Sequence, residues 1–208
     1  MRFSNTKAFI LLLSLFLPSL VWAGPATDFL QAKVKSIRSL IVQSNQKPKD
    51  RKQIDQKLMD VISPLMNFPD MSSRVIGKRW KDLNQGQKSE FIQLFQNLVF
   101  TSYMKRIRSA NEDYQIMYED ESEDEHRGQK VYLVESIAKT KTAEIELIFA
   151  LKFVERGKNK GNYEIFDVEI DSLWLVNNYK EQFIKIMKKD GFEALLKKMR
   201  TQLERVKK

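Results

Sequence analysis

The sequence predicts an α+β fold: a curved antiparallel sheet of about four strands, with helices from both ends of the chain packed on one face. Three observations predict it. Apolar residues recur with a helical period from Thr27 to about Ser109, and again after Asn178. Between Tyr114 and Asp171 the period is two. The breaks between the period-two segments are short, as in a meander of antiparallel neighbours. No internal repeat or low-complexity tract is present.

Thr27 or Asp28 offers a cap for a first helix whose apolar residues are Phe29, Val34, Ile37, Leu40 and Ile41. Asn45 to Asp50, with Pro48, reads as a turn. A second helix runs from about Asp50 to Ser63 and buries Ile54, Leu58 and Val61 or Ile62. Pro64 and Pro69 bracket a kinked connection, and Asp70 caps a short helix ending near Gly77. Asn84-Gln85-Gly86 interrupts the chain before a long helix from about Gln87 to Ser109.

The first strand is Tyr114 to Tyr118, and the acidic run Glu119 to Glu125 reads as the turn after it. Val131 to Lys139 is the second strand. A tight turn near Thr140-Lys141 leads to the third, where Ala143, Ile145, Leu147, Phe149, Leu151 and Phe153 share one face. Glu144, Glu146 and Lys152 make the opposite face largely wet. Arg156 to Asn162, with Gly157 and Gly161, is a hairpin turn before the fourth strand, Tyr163 to Ile170. A helix over about Asn178 to Lys189 presents Phe183, Ile186 and Met187. After Asp190-Gly191 the last helix presents Phe192, Leu195, Leu196, Met199, Leu203 and Val206.

Residues 1–23 read as a cleaved export signal, which leaves 24–208 as a single domain. Arg2 and Lys7 form a positive start, Ala8 to Leu17 is apolar, Pro18 breaks the helix, and Val21-Trp22-Ala23 supplies a cleavage site. The apolar run is shorter than the roughly 20 residues a bilayer span needs. No cysteine is present, so neither disulfides nor thiolate zinc sites contribute. The net charge of +9 favours anionic partners: nucleic acid, lipid headgroups or an acidic protein face. Export sets nucleic acid aside, and no basic motif interleaved with aromatics points to it.

Catalytic equipment is sparse. His126 is the one histidine and reads as a solvated residue of the acidic turn, so a Ser-His-Asp or Cys-His site cannot be assembled. The acidic run lacks the Gly and ligand spacing of a calcium loop. None of the seven Gly forms a phosphate-cradling pattern. These absences point to a protein that is not an enzyme and that holds no metal or cofactor.

The long helix is more apolar than a sheet-covering helix requires. Phe91, Leu94, Phe95, Leu98 and Val99 cover one side, while Phe100, Tyr103, Met104 and Ile107 carry the apolar surface round to another. A single stripe about 100° wide suffices for packing on one layer. A wider one means that further helices pack there or that an apolar ligand does. Trp80 and Trp174, at element ends, fit either half-buried packing or the rim of a pocket.

Several stretches in order resemble a known family. They are Phe68-Pro69-Asp70-Met71, Arg74-Val75-Ile76-Gly77-Lys78-Arg79-Trp80, Gln87-Lys88-Ser89-Glu90-Phe91 and Phe95-Gln96-Asn97-Leu98-Val99 with Tyr103. Tyr163-Glu164-Ile165-Phe166-Asp167-Val168-Glu169-Ile170-Asp171 and Leu175-Val176-Asn177-Asn178-Tyr179-Lys180-Glu181-Gln182-Phe183 complete the set. The chain resembles MlaC-type periplasmic proteins, also called toluene-tolerance or ABC-transporter auxiliary proteins, over essentially the whole of 24–208. It departs at Ser172-Leu173-Trp174, where family members carry small residues such as Gly-Val-Ser, and in Tyr163-Glu164-Ile165-Phe166-Asp167-Val168, where a Trp often precedes the Asp-Val pair and Tyr163 is read as filling that aromatic role.

The resemblance implies a periplasmic phospholipid carrier. It shuttles lipid between membranes as the soluble component of an ABC-type lipid transport system that serves outer-membrane lipid asymmetry. The fold then encloses an apolar pocket between helices and sheet. The implied partners are phospholipid, an inner-membrane ABC transporter complex with its membrane-anchored substrate-binding subunit, and an outer-membrane lipoprotein/porin complex. The residues expected to line the pocket are Val75, Ile76, Trp80, Phe91, Phe95, Leu98, Val99, Tyr103, Ile145, Leu147, Phe149, Phe166 and Val168. Lys78, Arg79, Lys105 and Arg106 are basic residues that headgroups or an acidic partner face would meet. The alternative is an exported structural or adaptor protein whose core is filled and holds no ligand.

Overall fold

The structure, a computed structural model, describes residues 24–109, 114–140, 143–155, 157 and 159–207, with backbone alone for 105–109, 206 and 207. The expected leader, Lys141 of the tight turn, Arg156 of the hairpin, and the side chains of Lys105, Arg106, Ile107 and Val206 lie outside the described residues.

Proline and turn residues cut the first half into four helices: α1 (Pro25–Gln46), α2 (Arg51–Ile62), α3 (Phe68–Ile76) and α4 (Gln85–Ser109). Short 3₁₀ turns at Pro48–Asp50, Ser63–Leu65 and Gly77–Asp82 link them. Two expected caps are corrected. Gly24, not Thr27 or Asp28, is the N-cap of α1, and it makes no side-chain cap bond. Asn67, not Asp70, caps α3: its Oδ1 accepts from Asp70 N at 3.1 Å, while Asp70 pairs with Arg74 one turn on. At the start of α4, Asn84 and Gln87 exchange backbone-to-side-chain bonds of 2.9 and 3.1 Å, a reciprocal capping box.

The sheet follows as β1 (Gln115–His126), β2 (Gln129–Lys139), β3 (Glu144–Phe153), β4 (Tyr163–Ile170) and the two-residue β5 (Leu173–Trp174). It is antiparallel throughout, in the order β1-β2-β3-β4-β5. The strand count is thus five rather than about four. The expected acidic turn does not exist: Glu119 to Glu125 continues β1, which stays paired with β2 to His126↔Gln129. A bulge between Tyr118 and Asp120 shifts the alternation, so Glu121 turns inward opposite Val134. The true turn is Arg127-Gly128, with φ of 55° and 72°, the two left-handed residues of a tight hairpin. Asp171 and Ser172, φ 48° and 63°, make a second such turn into β5 with no glycine to ease it.

A second bulge, between β3 and β4, arranges the faces. Phe149↔Val168 and Leu151↔Ile165 face α1, so the chain between Ile165 and Val168 puts both Phe166 and Asp167 on the other side. There Phe166 packs with Val131, Ala150 and Trp174, and the Arg74 guanidinium lies 3.6 Å above its ring.

α5 (Leu175–Asp190) and α6 (Phe192–Lys207) close the chain, separated by Gly191 at φ 85°. Together with α3 and α4 they enclose an aromatic core in which Phe95 meets Phe68, Phe91, Tyr179 and Phe183 at centroid distances of 5.1–6.1 Å. The wide stripe of α4 is explained by helix neighbours. Phe91, Phe95, Leu98 and Val99 enter this core, while Phe100 and Met104 meet Ile41 of α1 and Ile54 and Leu58 of α2.

Candidate functional site

α1 crosses one face of the sheet and leaves an apolar seam beneath it. Ala26, Phe29, Leu30, Val34 and Ile37 form the helix side. Tyr118, Tyr132, Val134, Phe149, Leu151, Tyr163, Ile165, Val168 and Ile170 form the sheet side. Unlike the aromatic core, most of this set is half-buried. Further along the same face, the register aligns Ile116, Ala138 and Ile145, and then Ser136, Leu147 and Ile170, again half-buried apart from Ser136. One end is aromatic: Tyr163 meets Phe29, Tyr132 and Phe153 at 5.3–5.7 Å, and Phe153 stands 42% exposed.

Polar groups mark the seam's edges. At the start of α1 the Glu121 carboxylate accepts bonds from Ala26 N, Thr27 N and Thr27 Oγ1 at 3.3, 2.7 and 2.7 Å. It thereby satisfies donors that open a helix and sits at the positive end of its dipole. Further along α1, the Arg38 guanidinium lies 5.3 Å over the Tyr114 ring. Beside it the buried hydroxyl of Tyr118 has no hydrogen-bond partner among the described residues. Burial, with a smaller contribution from Tyr114, pushes its pKa up to about 12.

The expected pocket residues divide among three places. Val75, Ile76, Phe91, Phe95, Leu98 and Val99 are buried in the α3–α6 core, with Trp80 and Tyr103 half-buried against it. Phe149 and Val168 lie in the seam, and Ile145 and Leu147 on the same sheet face beyond it. Phe166 lies on the far face because of the β4 bulge. Of the basic residues, Arg79 donates to Met187 O at the end of α5 at 3.2 Å, and Lys78 is exposed. Two open grooves lie elsewhere. One of ≈ 710 Å³ runs between α1 and α2 past Lys35, Ser39, Lys57 and Asp60, and one of ≈ 550 Å³ follows Lys180, Ile184, Lys185 and Lys188 on α5.

Sequence reasoning missed the cluster on the far face. His126 is not a solvated turn residue: its ring lies tilted against Trp174 with centroids 3.9 Å apart, and Nε2 lies 3.2 Å from Oδ2 of fully buried Asp167. Arg127 Nε donates to the same oxygen at 3.1 Å, and Asp167 Oδ1 accepts from Val168 N and Val176 N at 2.9 and 3.1 Å. One carboxylate thus joins the β1–β2 turn, β4 and the first turn of α5. The local signal is Arg127-Gly128, a turn pair just before the run that forms β2.

Among the described residues no group of three or more His, Cys, Asp or Glu could hold a metal ion, and no helix is long and apolar enough to cross a membrane. A family model described as MlaC protein matches residues 31–201. The chain belongs to the MlaC family. A phospholipid-binding protein from Ralstonia solanacearum, solved in complex with a phospholipid, has the same fold. The two superimpose with a TM-score of 0.74 at 17% identity, over 89% of this chain and all of that one. Curated proteins include no sequence match. In this MlaC-family chain the stretch Tyr163–Asp171, part of the resemblance, contains the strand that places Asp167 at the junction of sheet and α5.

Proposed function

We propose that this MlaC-family protein is a periplasmic phospholipid carrier, the soluble component of an ABC-type lipid transport system, and that it binds and hands on its cargo without chemical conversion. The observation that carries the reading is the half-buried apolar seam under α1, on a fold shared with a protein solved in complex with a phospholipid. Acyl chains enter between α1 and the sheet and meet Ile145, Leu147, Phe149 and Val168 together with Leu30, Val34 and Ile37. Val75, Ile76, Phe91, Phe95, Leu98 and Val99 form the packed wall behind them, with Trp80 and Tyr103 at its margin. Residues 1–23 direct export and are removed. The carrier then meets an inner-membrane ABC transporter complex through its anchored substrate-binding subunit, and an outer-membrane lipoprotein/porin complex.

The energetics suit a carrier. About 30 methylenes leaving water gain roughly 24 kcal/mol at ~0.8 each. A bilayer offers nearly the same gain, so the protein lowers the aqueous barrier while direction comes from its partners.

Native mass spectrometry of protein exported to a periplasm and purified without detergent tests this. A discrete added mass, identified as phospholipid after organic extraction, is expected, and Leu147→Asp is expected to lose it while keeping the fold. A bare mass combined with failure to take lipid from liposomes would replace this reading with the adaptor one.

A further inference from the structure

The Glu121 carboxylate does more than cap α1. It lies directly against Cα of Gly24, so close that a side-chain carbon there would overlap its terminal atoms. Gly24 is also the residue that follows Val21-Trp22-Ala23, the site at which the leader is read to end. We propose that hydrolysis of the Ala23–Gly24 bond delivers the new α-ammonium of Gly24 to the Glu121 carboxylate, forming an ion pair that ties α1 to β1 in the exported protein alone. The inference rests on the reading of residues 1–23 as a cleaved leader; lipid binding stands or falls separately.

The step consumes one water at an export peptidase. The leader leaves with the Ala23 carboxylate, and Gly24 keeps its nitrogen as an amine, which is protonated at neutral pH because its ordinary pKa is about 7.7–8.0. That nitrogen is one bond of about 1.46 Å from Cα. It therefore arrives beside a carboxylate already held in place by Ala26 N, Thr27 N and Thr27 Oγ1. In the precursor the same nitrogen is an uncharged amide. A side chain at Gly24 would require the Glu121 carboxylate to shift from its present position.

The charged and titratable groups around the pair are mostly acidic. Glu121 and Glu123 come from β1 and Asp28 from the first turn of α1. Tyr163 of β4 feels both glutamates, and Lys130 of β2 is paired with Glu123. Pairing with Glu121 favours the charged amine in the folded protein, against the positive end of the α1 dipole. The stabilisation is then complete below about pH 8 and lost as pH rises through the folded value.

The test uses exported protein, whose amino terminus is read by intact mass and terminal sequencing, beside the same protein with its α-amine acetylated. Gly24 is expected as the first residue. Blocking the amine is expected to lower the thermal midpoint at pH 7 by about 2–4 °C. In a Glu121→Gln background the blocked and free proteins should melt together, and above pH 10 the difference should vanish even with Glu121 present. A different first residue overturns the proposal. So do equal midpoints for free and blocked chains, or a loss on blocking that persists in Glu121→Gln. Lipid content measured on the same samples reports on the carrier reading independently.

Discussion

Replacing Asp167 with Ala should be among the most damaging single substitutions in this fold. The carboxylate is fully buried and faces four groups: the backbone N–H of Val168 and Val176, the guanidinium of Arg127 and the ring of His126. Its removal strands two buried N–H donors, each worth about 1–3 kcal/mol when left unpaired. It also leaves Arg127, only 20% exposed, without its counter-charge, and breaking such a pair costs about 3–5 kcal/mol. These losses overlap, so about 4 kcal/mol is expected for Asp167→Ala, a fall of roughly 8–16 °C in melting temperature. Asp167→Asn keeps an acceptor for both N–H groups but loses the charge, and about half that loss is expected. Urea unfolding followed by circular dichroism measures both, and a cycle with Arg127→Ala should show a coupling of about 1–3 kcal/mol. A loss below about 1 kcal/mol for Asp167→Ala, or strict additivity with Arg127→Ala, would refute the reading of this carboxylate as the junction of three elements.

Four further outcomes can be checked. Tyr118→Phe removes a buried hydroxyl without a described partner and should stabilise the protein by up to about 1 kcal/mol in urea. Because burial pushes the tyrosine's pKa up to about 12 from its ordinary 10.0, its contribution is complete below pH 10 and lost between there and 12. The Phe variant should therefore lose less stability over that interval. At the β4–β5 turn, Ser172→Gly relieves a left-handed residue at φ 63° and should raise stability by about 0.5–1 kcal/mol, read as a higher urea midpoint. Phe95→Ala should cost about 3–5 kcal/mol by opening a cavity among four aromatic neighbours. Leu147→Asp should affect lipid content far more than melting temperature, because Leu147 is half-buried.

The period change after Ser109 sufficed to place β2, β3 and β4 because turn-forming residues bound each of their apolar runs. β1 was obscured by its chemistry. Seven consecutive residues from Glu119 to Glu125 carry six carboxylates, and the bulge at Glu119 breaks the alternation that would have identified a strand. The cap of α1 could not be read locally because it comes from Glu121, 94 residues from Thr27. Phe166 looked like a partner of Val168 at spacing two, but the bulge separates them onto opposite faces. The candidate site was legible in part. Ile145, Leu147, Phe149 and Val168 followed from strand alternation, whereas Val34 and Ile37 looked like ordinary helix core and Leu30 fell outside the apolar stripe read for that helix. A stripe as wide as that of α4 signals crowding, and nothing in its spacing tells a helix neighbour from a ligand.

Two apolar clusters that share Met66 divide the domain into units of unequal cooperativity. The α3–α6 unit is held by interlocking rings, and its backbone amides should exchange with solvent only on global unfolding. The unit under α1 is half-buried and clamped at one end by a carboxylate, so its opening free energy should fall well short of the global value. Under the proposed carrier function, admitting or releasing a cargo needs only a subglobal excursion, in which α1 lifts from the sheet while the rest of the molecule stays native. Amides of α1 from Leu30 to Ile41 should accordingly exchange fastest among the buried helices, and a carrier stabilised uniformly throughout would be expected to hand on its cargo more slowly.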